Sequence, residues 1–284
     1  MPELPEVETI ARGVDKRIRG DRVVHVWFDH HPQPFKTPRA RQAKGLTGRT
    51  ILAVHRTGKH IVFELSLSGS TPVAHTPDAH QSDAQWIVHL GMTGRLLVTT
   101  PESPVALHTH ARLTLASGRE LRFVDPRRFG RLELRDLRRR AAFDAPGDEP
   151  LTIGEREFAA LFHTRRLCIK AALLNQKLLT GVGNIYADES LFHAGIRPRR
   201  RANRVTRAEF DRLRIALREI LTHAIRLGGS SVSDYVDADG ERGFFQLEHC
   251  VYLRTGEPCR RCQTLIRRVV VAGRGTHYCP KCQR

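Results

Sequence analysis

No stretch of this chain approaches the roughly 18 consecutive apolar residues that a membrane-spanning helix needs, so no membrane partner is expected. No secretory leader is expected either. The first residues are acidic and amphipathic, where a signal peptide carries positive charge and then an apolar core. Acidic side chains are scarce beside basic ones, 30 Asp and Glu against 47 Lys and Arg, which leaves a formal net charge of +17. That imbalance points to a polyanionic partner, nucleic acid before an anionic membrane surface. Cysteine is sparse as well, at six residues. With no export signal the expected compartment is the reducing cytoplasm, where these thiols serve better as metal ligands than as disulfides.

What is present suffices for two domains with cores of their own in 284 residues. A first helix is predicted from Leu4, Val7, Ile10, Val14 and Ile18, which recur on one face and end near Gly20. Short runs rich in β-branched and aromatic residues follow at 23–28, 50–55, 60–67, 85–90, 95–99, 111–115, 120–124 and 130–134. Turn signals such as Gly91, Gly94 and Ser117-Gly118 separate them, and eight strands at this spacing predict a β-sandwich or flattened barrel. Residues 69–82 read as a long polar hairpin loop. The segment 135–150, with Arg138-Arg139-Arg140 and Pro146-Gly147, reads as a linker with a solvated basic face. From Ile153 the period becomes helical, predicting short helices over 155–163, 168–177 and 185–194 and a long one over 206–227. Residues 230–248 read as a loop. The fold class is therefore α+β.

The sharpest local signal is Cys259-Arg-Arg-Cys262 followed, sixteen residues on, by Cys279-Pro-Lys-Cys282. Four thiolates at this spacing suit a closed tetrahedral zinc site, the alternatives being free thiols or a redox pair. Such a site has no open position, so one structural Zn2+ is expected and no catalytic metal. Between the two pairs, 265–272 and Gly273-Arg274-Gly275 read as a β-hairpin with a glycine-rich tip. Residues 253–284 hold eight Lys or Arg against one Glu, a balance of +7, which suits a phosphate clamp. Cys168 and Cys250 read as ordinary thiols.

The opening stretch, Met1-Pro-Glu-Leu-Pro-Glu-Val-Glu-Thr9, carries different chemistry. Once Met1 is removed, Pro2 offers a secondary amine. Attack by such an amine on a sugar C1′ gives a charged iminium that acts as an electron sink. Glu3 stands beside it as a proton carrier, and Glu6 and Glu8 fall in the first helical turn, where the dipole favours anions. The plain alternative is a helix N-terminus with proline in its usual place.

Four further motifs have both a plain and a functional reading. Leu179-Thr-Gly-Val-Gly-Asn184 is a glycine-containing helix connection in which Asn184 suits an N-cap and the helix terminus suits a phosphate oxygen. Val124-Asp-Pro-Arg-Arg-Phe-Gly130 is a surface turn, with Phe129 and Met92 then assigned to the core and Arg128 to phosphate. Lys59, in Arg56-Thr-Gly-Lys59-His60, reads as a solvated charge before a strand. His108-Thr-His110 is a histidine pair.

The opening nonapeptide is similar to the start of bacterial formamidopyrimidine-DNA glycosylases, and the resemblance runs from Pro2 to Gln283. It implies a repair enzyme for damaged double-stranded DNA, acting as a monomer on oxidised purines such as 8-oxoguanine and formamidopyrimidines. The implied domains are a catalytic β-sandwich at 1–135 with its leading helix, a linker at 136–152, a helix–two-turn–helix domain with a lesion loop at 153–248, and a zinc finger at 249–284. Pro2 and Glu3 are then catalytic. Lys59 aligns with a catalytic lysine that contacts phosphate and transfers protons, and Lys59 or Arg274 would assist the final elimination. Met92, Arg127 and Phe129 match the residues that fill the gap left by an extruded base, and apolar wedges with an arginine suit that task. Asn184 and Lys170, with Arg165, match residues that grip the DNA backbone. Arg128 and His108 would contact phosphate, although Thr109 stands where the family usually has Asp. The loop at 230–246 resembles the purine-enzyme loop over the flipped base. Two other readings stay open: an endonuclease VIII-like enzyme for oxidised pyrimidines, and a zinc-dependent DNA-binding protein without catalysis.

Overall fold

The computed structural model describes residues 1–32, 34–67, 82–231 and 236–284. The loop at 69–82 therefore lies outside the described residues except for Ser82, as do 232–235 of the loop that begins at Ser230. The chain divides into two compact units, 1–144 with 230–243 and 145–229 with 244–284. Among the described residues no helix is long and apolar enough to cross a membrane.

The first unit opens with helix α1, Leu4–Ile18, whose buried face is the predicted one. Full burial of Leu4, Val7, Ile10, Val14 and Ile18 contributes roughly 10 kcal/mol as an upper figure. Eight strands follow: β1 Val23–Phe28, β2 Thr50–Thr57, β3 His60–Ser66, β4 Ala84–His89, β5 Arg95–Thr99, β6 Thr109–Leu115, β7 Glu120–Val124 and β8 Arg131–Asp136. They form two antiparallel sheets, β1-β6-β7-β5 and β2-β3-β4-β8. Inward side chains of both sheets and the apolar face of α1 make one continuous core that includes Phe63, Trp86 and Phe123. This is the sandwich expected from the strand spacing, with β1, β5 and β7 as predicted and the other ends displaced by no more than two residues.

Helix α2, Arg39–Leu46, has no counterpart in the sequence reading. Its pattern is nearly silent because only Gln42 and Leu46 are buried. Gln42 is held by polar contacts instead, donating to the Thr37 carbonyl at 2.8 Å and accepting from the Trp86 indole at 3.1 Å.

The second unit holds α3 Glu155–Phe162, α4 Ile169–Leu173, α5 Asn184–Ala194 and α6 Arg207–Arg226, then the hairpin β9 Arg267–Val271 and β10 Arg274–Tyr278. Helix α4 is half the predicted length, since the chain turns at Leu174. Thr206 caps α6, and Arg200 holds Glu209 of that cap at 2.6 and 2.7 Å. This pairing holds the Glu209 carboxyl down at about 2. Helix α5 is buried on nearly every side, including Asp188, Glu189 and Ser190, so its acidic groups must find partners inside the protein.

Candidate active site and zinc centre

Four connections meet at one end of the sandwich, and register explains why. His60 pairs with His89, His89 with Arg131, and Val124 with both Arg95 and Thr109. The turn before β3, the β4–β5 and β7–β8 crossovers and the entry to β6 must therefore lie together. They carry Lys59, Met92, the 127–129 run and His108. Lys59 is only 7% exposed. Met92 and Phe129, at 41% and 52% exposure, stand out from the core and not in it. The Arg127 guanidinium lies over the Phe129 ring at 4.9 Å. Arg128 and the exposed His108 occupy left-handed backbone, with φ of 55° and 65°.

The two crossovers are pressed together at a glycine. Gly91 has φ +64°, and a β-carbon there would lie 2.5 Å from the Phe129 carbonyl carbon and 2.6 Å from the Gly130 nitrogen. Beneath them sits the fully buried carboxylate of Asp125. It accepts from the Thr93 hydroxyl at 2.6 Å and the Gly130 amide at 2.7 Å, tying both crossovers to one group. Buried His110 links the Asp125 carbonyl, at 2.9 Å, to the Asp29 carboxylate, at 2.8 Å. The rings of His110 and His31 hold the Asp29 carboxyl far below its usual range against the opposing effect of burial. His89 accepts at Nδ1 from the Gly91 amide at 3.1 Å, which requires a neutral ring. Burial first, then the fields of His60, Arg131 and Lys59, push its pKa down to about 3.

The N-terminus of α1 belongs to the same constellation. Pro2 and Glu3 are buried, with Glu3 as the N-cap. Pro5 therefore falls in the first turn, as its sequence position suggests. Burial pushes the pKa of the terminal amino group down. Glu3 and Glu6 oppose that shift, and Lys59 and Arg127 reinforce it. The amine is that of Met1, one residue before Pro2, and all four charges act on it. Buried Glu6 accepts from the Glu3 amide and from the Ser230 amide, both at 2.8 Å. It thereby joins the helix cap to the start of the 230–243 segment. Sequence reasoning gave Glu6 only a dipole role and gave Asp125 and His110 none. Their setting inside quoted motifs was the signal available.

In the second unit, Lys170, expected from the resemblance to grip the DNA backbone directly, instead has no exposed surface. Its ammonium meets Asp188 at 2.7 Å, the Thr276 hydroxyl at 2.8 Å and the Gly275 carbonyl at 3.1 Å. Asn184 is the first residue of α5, with Gly183 as cap, and its amide donates to the same Gly275 carbonyl at 3.0 Å. Asp188 also accepts from the His277 amide at 2.8 Å. Residues from α4 and α5 thus fix β10, leaving Arg274 exposed at its start. Arg165 is exposed and folds back on the Leu161 carbonyl at 2.7 Å.

The four cysteines converge as the spacing predicts. Cys262 and Cys279 lie 3.5 Å apart and Cys259 and Cys282 3.9 Å apart, sulfur to sulfur. The edge of a zinc–thiolate tetrahedron with 2.3 Å bonds is about 3.8 Å. Backbone amides of Arg261 and Cys282 donate to Cys259 and Cys279 at 3.4 Å each, stabilising thiolate charge. The set fits one structural zinc, which supplies a fixed anchor for the hairpin. All four ligands are protein sulfurs, so the ion takes no part in substrate chemistry at that shell.

Fold and sites together define a basic, two-unit protein with a zinc-anchored hairpin, and comparison with known proteins narrows that class. Residues 1–132 match the model of the formamidopyrimidine-DNA glycosylase N-terminal domain, 146–236 that of the formamidopyrimidine-DNA glycosylase H2TH domain, and 256–284 that of a zinc finger found in FPG and IleRS. The chain is 43% identical over 285 residues to a formamidopyrimidine-DNA glycosylase of Solibacter usitatus and 40% identical over 291 residues to one of Thioalkalivibrio sulfidiphilus, covering all of each. Among solved structures it is similar to Lactococcus lactis Fpg in complex with DNA containing an abasic site, with a TM-score of 0.85, 35% identity and 99% of each chain covered. It is equally similar to MutM in complex with DNA containing carbocyclic 8-oxo-G, with a TM-score of 0.86, 35% identity and full coverage of both. The chain belongs to the formamidopyrimidine-DNA glycosylase family of DNA-repair enzymes.

Proposed function

We propose that this protein excises oxidised purines, 8-oxoguanine and formamidopyrimidines, from double-stranded DNA and then cleaves the strand at the resulting site. The supporting observation is the burial of Pro2, Glu3 and Lys59, with the charges of Glu3, Glu6, Lys59 and Arg127 all felt by the Met1 amine that precedes Pro2. The relatives' complexes with abasic and 8-oxo-G DNA support the choice of substrate.

The damaged nucleotide leaves the stack at a cost of a few kcal/mol. Met92 and Phe129 fill the gap, and Arg127 meets the orphaned partner base. Arg128, His108, Arg165 and Asn184 bind phosphate, with Lys170 holding Asn184's hairpin partner in place. Pro2, freed of Met1, attacks C1′. The bond from C1′ to the base nitrogen breaks and its electron pair leaves with the base, which takes up a proton. Glu3 protonates the ring oxygen O4′, the C1′–O4′ bond opens, and an iminium joins Pro2 to the sugar. The iminium acidifies C2′. Loss of that proton expels the 3′ phosphate, and a second elimination expels the 5′ phosphate, with Lys59 or Arg274 stabilising the leaving charge.

Borohydride reduces an iminium to a stable amine. Met1-free protein incubated with 8-oxoguanine duplex and borohydride is expected to give a covalent adduct that Pro2→Gly does not form. Equal trapping by Pro2→Gly, or nicking at the parental rate by a protein that retains Met1, would refute the nucleophile. Comparison of nicking on 8-oxoguanine and thymine glycol duplexes tests the purine preference separately.

A further inference from the structure

Helix α5 carries a second buried acid whose surroundings the repair chemistry does not use. The Glu189 carboxylate is 1% exposed and accepts from the amides of Cys250, Val251 and Tyr252 at 2.8–2.9 Å. It has no cationic partner among the described residues. His193 lies one turn further along α5, on the same face. The His193 Nε2 and Cys250 Sγ atoms are 3.6 Å apart. Ligand atoms of Glu189, His193 and Cys250 all lie within 4.8 Å of one another.

We propose that Glu189, His193 and Cys250 form a second metal site, separate from the four-cysteine zinc, for a borderline divalent ion of the Zn2+ or Co2+ class. For metal–sulfur and metal–nitrogen bonds of about 2.3 and 2.1 Å, the tetrahedral nitrogen–sulfur edge is about 3.6 Å, the separation His193 and Cys250 already have. A thiol–imidazole hydrogen bond accounts for that distance as well. The third donor distinguishes the two readings, because a carboxylate with no cation beside it gains from a metal and gains nothing from a neutral pair. Charge also balances. The Cys250 thiolate and Glu189 together offset a divalent ion, and Arg261, which donates to the Phe192 and His193 carbonyls, opposes any cation not so neutralised. On binding, the Cys250 thiol proton passes to solvent and a metal–sulfur bond replaces a metal–water bond. His193 is exposed, giving the ion a route in, and the fourth position stays open to water. A bound ion would clip the 250–252 strap to α5.

The test adds Co2+ to protein prepared with one zinc per chain, enough for the four-cysteine site alone, and follows thiolate-to-cobalt charge-transfer absorption, with zinc content measured alongside. The expected result is a band saturating near one equivalent while the zinc stays bound. The band is lost in Cys250→Ser and needs more Co2+ in His193→Ala. No band in the parent protein, a band that survives Cys250→Ser, or cobalt uptake matched by zinc release overturns the proposal. A zinc content below one per chain before cobalt is added concerns the four-cysteine site alone, so the two readings fail separately.

Discussion

The loop end of the sandwich and the zinc hairpin are each anchored by a buried aspartate, and the two aspartates are satisfied in different ways. Asp125 accepts from a hydroxyl and an amide and has no cationic partner among the described residues. Asp188 meets a fully buried ammonium and the backbone and ring of a histidine. The surroundings differ in step. Among the described residues, twenty-four buried side chains form the sandwich core, whereas the cluster under the hairpin has five, two of them cysteines. Where apolar burial is plentiful, a few dipoles suffice to place a loop. At the cysteine end of the hairpin, where it is scarce, a metal site does the holding.

Chelating the zinc, or replacing Cys279 by Ser, should expose this contrast most strongly. Structural zinc sites in small fingers are worth on the order of 10 kcal/mol. Hydrogen exchange is expected to speed up across Arg267–Tyr278 while amides of β3, β4 and β7 keep their protection. Equal loss in both regions would remove the distinction. Next in size, Lys170→Met leaves Asp188 buried without its cation, an expected loss of about 3–5 kcal/mol in denaturant unfolding of the second unit. Asp125→Ala removes an acceptor from two dipoles, for about 1–3 kcal/mol, and should weaken binding of abasic-site duplex beyond that stability change. If the two variants cost the same, the ion pair confers nothing special.

The smallest effect is one of acidity. The His89 pKa lies near 3 in the folded protein against about 6.5 in an unfolded chain. The folded state therefore prefers the neutral ring. The stability this provides is complete above about pH 6.5 and is lost as pH falls towards 3. At pH 5.5 the expected penalty is roughly 1 kcal/mol, read as a lower melting temperature that His89→Gln does not share. A mutant whose acid sensitivity matches the parent would move the effect elsewhere, His60 being the nearest ring.

Much of this was visible in the sequence because it follows local rules. The stripe Leu4 to Ile18, the β-branched runs of the strands and the two cysteine pairs each declare themselves within a few residues. Convergence of Lys59, Met92 and Arg127 was not visible in this way. It depends on strand register across two sheets, and only the resemblance to a family supplied it. Without that resemblance Met92 and Phe129 read as core, because hydrophobicity alone does not separate an exposed wedge from a buried one. Helix α2 escaped because its anchor is the amide of Gln42, and polar anchoring leaves no periodic trace. Burial of Lys170 and Asp188 was hidden for the same reason, since each charge looks solvent-facing until its partner is known.

One consequence concerns Glu6, which receives a hydrogen bond from the amide beside the proposed nucleophile and another from the first residue of the 230–243 segment. One carboxylate thus ties the start of α1 to the start of the 230–243 segment, the stretch proposed to lie over the flipped base. If that proposal holds, exchanging the segment for a relative's should alter turnover along with lesion selectivity whenever it shifts the Ser230 amide off Glu6.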